Sequence, residues 1–537
     1  MVDQLRREVA AALAAAGVDI QPEDVELERP ARREHGDFST NAALVFAKHA
    51  REKPRAFAER VAQTLAERRL PFVRRVEVAG PGFVNFHLDD SWLHEVLREV
   101  VRLGDQYARH DFGAGARVCL EFVSANPTGP LHAGHGRGAA YGDSLARIFE
   151  RCGYRVHREN YLNDRGVQTR AFAESLAAAK AGREIPEDGY HGEYVKRWAA
   201  EMPEGSDPLE WGLERAVRDH RETLEQMNVH FDEWFSERSL VSSGAIEKTL
   251  EELRSRGVVY EKDGAVWLRS TAHGDDKDRV LVKSDGEYTY LLPDIAYHKN
   301  KIERGFDLLV DVWGADHHGY VPRMRAALRS LGVDDSILEC RITQMVNLLS
   351  GGRPVRLSKR AGDVVELRDV LDAVGPDAAR LTYLLQSVDA PLDFDLEVVK
   401  SRAMENPVYY VQMAHARICS VSRVASERGV ARAPLESVDL SLLVHESELD
   451  VLRSLSELPE VVAVACRDRA PHKVTNWVRD LAGRFHRFYH DCRVLPAPGV
   501  EDVPEGLTQA RLWLTEAAAI GLRIGLDLLG VSAPDRM

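Results

Sequence analysis

The sequence predicts a multidomain protein centred on an α/β doubly wound parallel sheet, with a small α+β domain before it and an all-α domain after it. Three observations predict this. From Arg117 a strand run (V-C-L-E-F-V) passes through a Gly/Pro loop into an amphipathic helix, and a second strand run begins near Tyr154. The same grammar recurs from Leu308 to Trp313, through a polar loop, into a helix carrying Val321, Met324, Leu328 and Leu331. Beyond Asp395 strand signals fade and long amphipathic helices take over.

In chain order, Val2, Leu5, Val9 and Leu13 share one face of an opening helix, and Asp3 and Glu8 break any signal-peptide core. R-V-E-V-A-G-P-G-F-V-N-F-H-L, around Val76 to Leu88, is a turn-bounded strand signal, so residues 1–110 read as the α+β domain. Residues 111–395 form the Rossmann-like core. Its first helix carries Tyr141, Leu145, Ile148, Phe149 and Cys152 on one face and stops at Gly153, and two strands joined by one helix make a right-handed parallel crossover. Largely helical sequence at about 165–290 reads as an insertion splitting the sheet. Residues 396–537 read as the helical domain, with Trp477, Leu481, Phe485 and Phe488 on one face.

Apolar residues at 44% and charged residues at 29% exclude disordered, collagen-like and membrane-embedded classes. No uncharged apolar stretch of about 18 residues occurs, so no membrane span is expected. Six scattered cysteines form no C-x-x-C pair, which suggests a reduced, cytoplasmic setting without a zinc site. A net charge of -14 argues at first against a polyanionic partner, since such affinity rests on cations neutralising phosphates.

The chemistry concentrates in S-A-N-P-T-G-P-L-H-A-G-H-G-R-G, Ser124 to Gly138, between strand and helix. Gly134, Gly136 and Gly138 let backbone approach a ligand, and a helix N-terminus offers unpaired N–H groups to phosphate. His132 and His135 add donors suited to charge developing on phosphate oxygens, although a zinc pair or two ordinary loop histidines fit the spacing as well. H-A-G-H resembles the H-I-G-H signature of class I aminoacyl-tRNA synthetases, and the longer loop narrows the resemblance to the arginyl-tRNA synthetases. E-H-G-D-F-S-T-N from Glu34, N-D-R-G from Asn163, Y-H-G-E-Y from Tyr190 and F-D-E-W-F-S-E from Phe231 match in family order. T-Y-L-L-P-D-I-A-Y-H from Thr289, G-A-D-H-H-G-Y from Gly314, S-K-R-A-G from Ser358 and Y-V-Q-M-A-H-A-R from Tyr410 follow.

V-R-L-S-K-R-A-G departs from the K-M-S-K-S pattern of the class. Arg356 stands at the first Lys position, Leu357 at the Met position and Arg360 at the final Ser position, while Ser358 and Lys359 are retained. A glycine approach at Gly351 and Gly352, with cations at 353, 356, 359 and 360, suits a loop closing over a triphosphate; composition alone favours a solvated basic loop or an RNA backbone contact, and the paired upstream signature favours Lys359 as the pyrophosphate-side cation. Arg356 supplies a planar fork where Lys would supply a point charge.

The resemblance implies ATP-dependent activation of L-arginine to an adenylate and transfer to the terminal adenosine of tRNA(Arg). It implies His132, His135, Ser358 and Lys359 as catalytic residues, with Gly134, Gly136 and Arg360 also contacting ATP. For arginine it implies Glu121, Ser124, Asn126, His135, Tyr290, Asp294 and His318; a guanidinium requires carboxylates because an unpaired, desolvated cation is costly. Magnesium is expected to accompany ATP, without dedicated protein ligands. On the RNA side it implies Tyr410, Gln412, His415 and Arg417 in an anticodon-reading helical domain, and His35, Phe38 and Asn41 in the N-terminal domain. The family expectation is a monomer. A related H-x-G-H nucleotidyltransferase without RNA, and a binding protein derived from a synthetase, are the alternatives.

Overall fold

The computed structural model describes residues 1–30, 32–355, 365–401, 403–496 and 503–537. By contacts it divides into two compact units: Met1–Leu103 with Ala431–Ser456 and Phe488–Ala517, and Gly104–Val430 with Glu457–Arg487 and Ala518–Met537.

In the first unit β1 (Phe38–Thr40), β2 (Val73–Ala79) and β3 (Phe83–Leu88) form an antiparallel sheet in the order β1-β3-β2. The turn-bounded strand signal is thus a hairpin. Helices Val2–Ala15 and Pro54–Glu67 contribute Leu5, Val9, Leu13, Phe57, Val61 and Leu65 to the buried core. The E-H-G-D-F-S-T-N motif fastens β1 to β3. Gly36 has φ +95°, and a Cβ there would lie 2.5 Å from the Phe86 carbonyl oxygen. The Asp37 carboxylate accepts the Leu88 N–H at 2.7 Å.

The second unit holds the parallel sheet. β4 (Arg117–Glu121) leads through the helix Ala133–Arg151 to β5 (Arg155–Leu162), and β6 (Glu233–Ser236) lies beyond β5. A small antiparallel sheet of β7 (Val259–Lys262), β8 (Ala265–Leu268) and β9 (Arg279–Val282) follows. The chain then returns as β10 (Leu308–Gly314) and β11 (Leu338–Thr343), giving the order β11-β10-β4-β5-β6 with every pair parallel. Strand order reverses between β4 and β10, and doubly wound sheets bind ligands outside the carboxyl ends of such a pair. Glu121 ends β4 and Gly314 ends β10.

The interval at 165–290 is not a purely helical interruption. Its helices Val167–Lys180, Glu193–Glu201 and Pro208–Gln226 share a core of Phe172, Leu176, Val195, Trp198 and Ala216, but β6 belongs to the main sheet. Four residues beside a long helical run carry too little periodic signal to mark that strand.

β12 (Val346–Ser350) pairs with β13 (Arg353–Pro354) across Gly351 and Gly352, both at positive φ, and lies parallel to β14 (Leu392–Asp395). The Asp395 carboxylate accepts both glycine N–H groups, at 3.1 and 2.6 Å. Long helices follow at Pro407–Glu427, Glu446–Arg467, His472–Asp491 and Glu505–Leu528. Among the described residues no helix is long and apolar enough to cross a membrane.

Candidate active site

The first signature builds an unusual helix start. His132 is the N-cap of Ala133–Arg151, and its Nδ1 accepts the Gly134 N–H at 3.1 Å. The His135 Nδ1 accepts the His132 N–H at 3.1 Å, completing a capping box made of two histidines. Their rings stack with centroids 3.6 Å apart. Desolvation holds both imidazoles below the usual histidine range; His135 lies well below it, with His132 and His220 adding to the effect. A neutral ring whose Nδ1 accepts carries its proton on Nε2, so each ring has one N–H donor left for an oxyanion at the helix's positive end.

The glycines of this loop differ in role. A Cβ at Gly134 would touch the His132 ring at 3.0 Å, so the cap needs it bare. A Cβ at Gly136 would lie 2.6 Å from Tyr383 and 2.7 Å from Leu367, so the helix packs closely there. A Cβ at Gly138 would meet nothing within 4 Å. The Tyr383 hydroxyl donates to the Ala133 carbonyl at 2.7 Å. Backbone bonds from Ala133 N to Val365 O (3.0 Å) and from Leu367 N to Leu131 O (2.7 Å) strap the loop to the segment after the second signature. That signature, with Ser358, Lys359 and Arg360, lies outside the described residues.

The expected arginine-binding residues gather at the carboxyl ends of β4 and β10. Glu121 is buried, accepting the Ser124 hydroxyl at 2.8 Å and Lys301 Nζ at 2.5 Å. Asn126 is exposed and donates to Gln168 at 2.7 Å. Tyr290 is the N-cap of helix Leu291–Glu303 and is 72% exposed, one turn before Asp294. The Asp294 carboxylate accepts the Tyr320 hydroxyl at 2.5 Å. His318 is exposed on the short 3-10 segment Ala315–Tyr320 that follows β10.

Sequence reasoning missed Glu237, the buried first residue of the short helix after β6. Burial raises its carboxyl to about 7; Arg165 opposes the rise and the Asp294 charge reinforces it. Burial likewise raises Asp294 to about 6, against the Tyr320 hydrogen bond and His298, with the Glu121 and Asp311 charges adding to the rise. Two carboxyls held up by burial, with the Asp294 charge adding to the rise at Glu237, suit a cation. The signal lay in F-D-E-W-F-S-E, whose last Glu is this residue.

Behind the pocket a paired network fixes these elements. Lys301, fully buried, bonds Glu121 and Asp311 (2.9 Å), and Asp311 also bonds His298 Nε2 at 2.8 Å. Glu159 accepts Arg304 at 2.7 and 2.9 Å and the Tyr297 hydroxyl at 2.6 Å, and it is held down at about 2 despite burial by His157 and Arg304. Among the described residues two groups bring metal-ligating side chains together, His157–Glu159–Glu233 and His415–Cys419–Asp535. In the first, Arg304 already bonds both carboxylates; in the second, His415 Nδ1 bonds the Pro534 carbonyl.

The expected RNA contacts divide. Phe38 is 2% exposed, with the Arg29 guanidinium 4.7 Å from its ring centroid and the Trp92 ring 6.0 Å away, so it is core and not a stacking platform. Gln412 (8% exposed) and His415 (2%) face inward and hold the C-terminal tail: Gln412 donates to Asp377 at 2.8 Å and to the Ser532 carbonyl at 3.0 Å. The polar character of these two residues hid the buried face of their helix. His35 is exposed, and Asn41 is half-buried and donates to Glu26 at 3.3 Å. Tyr410 and Arg417 are half-buried around His486: the rings of Tyr410 and His486 meet at 4.7 Å, and Arg417 bonds His486 Nδ1 at 3.0 Å.

Three family models match this chain in order: "Arginyl tRNA synthetase N terminal domain" at residues 3–88, "tRNA synthetases class I (R), catalytic domain" at 97–185 and 209–418, and "DALR anticodon binding domain" at 411–537. The chain is 45% identical to arginine–tRNA ligase 1 of Halalkalibacterium halodurans and 45% identical to the arginine–tRNA ligase of Bacillus subtilis, in each case over 100% of this chain and 99% of the relative. The Thermus thermophilus arginyl-tRNA synthetase structure superposes with TM-score 0.77 at 25% identity, covering 99% of both chains. With the sheet, the histidine-capped helix and these matches together, the chain belongs to the arginyl-tRNA synthetase family of class I aminoacyl-tRNA synthetases.

Proposed function

We propose that this chain activates L-arginine with ATP and transfers it to the 3′-terminal adenosine of tRNA(Arg). The observation that carries the reading is two carboxyls raised by burial, Asp294 bonded to Tyr320 after β10 and Glu237 after β6, in a parallel-sheet unit whose first crossover helix starts in two neutral stacked histidines.

In this reading the guanidinium sits against Asp294 and Glu237 with Tyr290 and His318 at the rim, and its charge draws both carboxyls into their ionised form. Glu121, Ser124 and Asn126 hold the amine and carboxylate end. Lys301 keeps Glu121 fixed and charge-balanced from behind. The arginine carboxylate attacks the α-phosphorus of ATP and pyrophosphate departs. The Nε2–H donors of His132 and His135, at the positive end of the helix dipole, stabilise the phosphate charge, with Ser358, Lys359 and Arg360 assigned to the pyrophosphate side. A ribose hydroxyl of the tRNA then takes the arginyl group from the adenylate and AMP leaves. No protein nucleophile is required, so alignment and electrostatics supply the catalysis. Magnesium accompanies the ATP phosphates in this scheme.

The proposed RNA contacts are Tyr410, Arg417 and His486 on the helical side, and His35 and Asn41 in the N-terminal segment. A cytoplasmic monomer completes the reading. Exchange of labelled pyrophosphate into ATP tests the first step: it should require arginine and also tRNA. Exchange driven by lysine or glutamine instead would overturn the assignment.

A further inference from the structure

Each of the three inserted helices gives one side chain to the loop that precedes the histidine cap. Gln168, from Val167–Lys180, accepts the Asn126 amide at 2.7 Å. Tyr194, from Glu193–Glu201, donates its hydroxyl to the Thr128 carbonyl at 2.8 Å. His220, from Pro208–Gln226, meets the Gly129 carbonyl with Nε2 at 2.7 Å. Three contacts within four consecutive loop residues, from three separate helices, are more than a shared surface requires. His220 is 1% exposed, and its imidazole is held below the usual range by burial, so the neutral ring donates Nε2–H. Gly129 is shaped to the contact: a Cβ there would lie 2.8 Å from the Tyr194 hydroxyl oxygen and 2.9 Å from its ring carbon. Tyr194 lies in the interval 186–208 that the catalytic-domain model leaves unmatched.

We propose that Tyr194 and His220 are positioning residues for catalysis, holding the Thr128 and Gly129 carbonyls so that the loop from Asn126 to His132 keeps the geometry that binds arginine and ATP. The inference rests on the proposed function for its substrates. Its physical basis is independent of them. Loop residues flank Pro127 and Pro130, which lack N–H groups, so few backbone bonds within the loop can fix it and side chains from outside must. Thr128 and Gly129 lie between the two prolines, and the two donors on their consecutive carbonyls fix the orientation of that dipeptide. Neither side chain contacts the reacting atoms in this scheme; each acts through the backbone it holds.

The test uses the full-length protein and Tyr194→Phe, which deletes only the hydroxyl, with His220→Leu and His220→Gln as a second pair. The glutamine amide reaches where Nε2 sits, so it should rescue where leucine does not. Three quantities are measured: the ATP dissociation constant, the KM for arginine in pyrophosphate exchange, and the dissociation constant for tRNA(Arg). Tyr194→Phe should raise the ATP constant, the arginine KM, or both about tenfold, with the tRNA constant within twofold and the melting temperature within about 2 °C. Both constants within twofold of the parent would overturn the proposal. A loss that disappears when the variant is assayed well below its melting temperature would also overturn it, because the bonds would then serve stability alone. The ATP constant decides the matter even if the parent exchanges with a different amino acid, an outcome that would count against the proposed substrate and not against the clamp.

Discussion

At the scale of single residues, the account turns on two carboxyls that ionise reluctantly. Asp294 at about 6 and Glu237 at about 7 sit above their ordinary values of 3.8 and 4.5. A raised folded-state value means the ligand-free protein gains stability from protonation, complete below about pH 4 and lost as pH rises through 6 and 7. If arginine binds this pair as proposed, it favours the ionised form and releases protons. The arginine KM should rise roughly tenfold between pH 7 and pH 6, from about fivefold at Glu237 and about twofold at Asp294. The increase in melting temperature given by saturating arginine should grow from pH 6 to pH 8. A KM independent of pH across that interval would remove the pair from the pocket. Glu237→Gln should cost about 2–5 kcal/mol in arginine binding, since one partner of a desolvated charge pair is deleted, and should leave the ATP constant near the parent value. Asp294 was legible in the sequence only through its motif, and Glu237 was not singled out at all. Nothing local distinguishes a carboxylate at a helix start that caps a strand from one that waits for a cation; the distinction comes from burial and from the second charge.

Elements show where periodicity is informative and where it misleads. The helix Ala133–Arg151 and its flanking strands follow from apolar spacing, a Gly/Pro loop and the stop at Gly153, which takes φ +88°. Inside that helix the glycines have separate reasons that spacing does not reveal. A Cβ at Gly142 would fall 2.2 Å from Phe122, whereas one at Gly138 meets nothing within 4 Å. Gly142→Ala should therefore destabilise by about 1–3 kcal/mol through overpacking against the loop after β4. Gly138→Ala should be neutral or stabilise by up to about 1 kcal/mol through helix propensity. Denaturant midpoints of the two variants check this, and equal midpoints would contradict the close approach of helix and sheet. The helix Pro407–Glu427 shows the opposite lesson. Its Gln412 and His415 look like an exposed reading face, yet they bind carbonyls of the tail at Ser532 and Pro534. Polar residues serving buried carbonyls are invisible to hydrophobic patterning. β6 escaped for a related reason: four residues beside a long helical run carry little periodic signal.

At the scale of the whole molecule, the order of motifs carried more than composition did. A net charge of -14 suggests weak affinity for polyanions, but binding follows local fields, and cations at 353, 356, 359 and 360 crowd into eight residues. For the proposed function, the acidic balance predicts tRNA binding through a few placed contacts and weak retention of arbitrary RNA in a filter-binding assay. The succession of a small α+β segment, a split parallel sheet and a helical end was legible from the sequence, and three family models match along it. What the sequence could not supply was which of its matched residues face a ligand: Phe38 and His415 sit in cores, while His486 joins Tyr410 and Arg417. Side-chain direction depends on packing partners far along the chain, such as Trp92 for Phe38 and Pro534 for His415. The most direct test of the central claim is aminoacylation by the purified full-length protein, supplied with ATP, magnesium, tRNA(Arg) and each of the twenty amino acids in turn. The account predicts that arginine alone is esterified to the tRNA; charging with another amino acid in preference to arginine would contradict it.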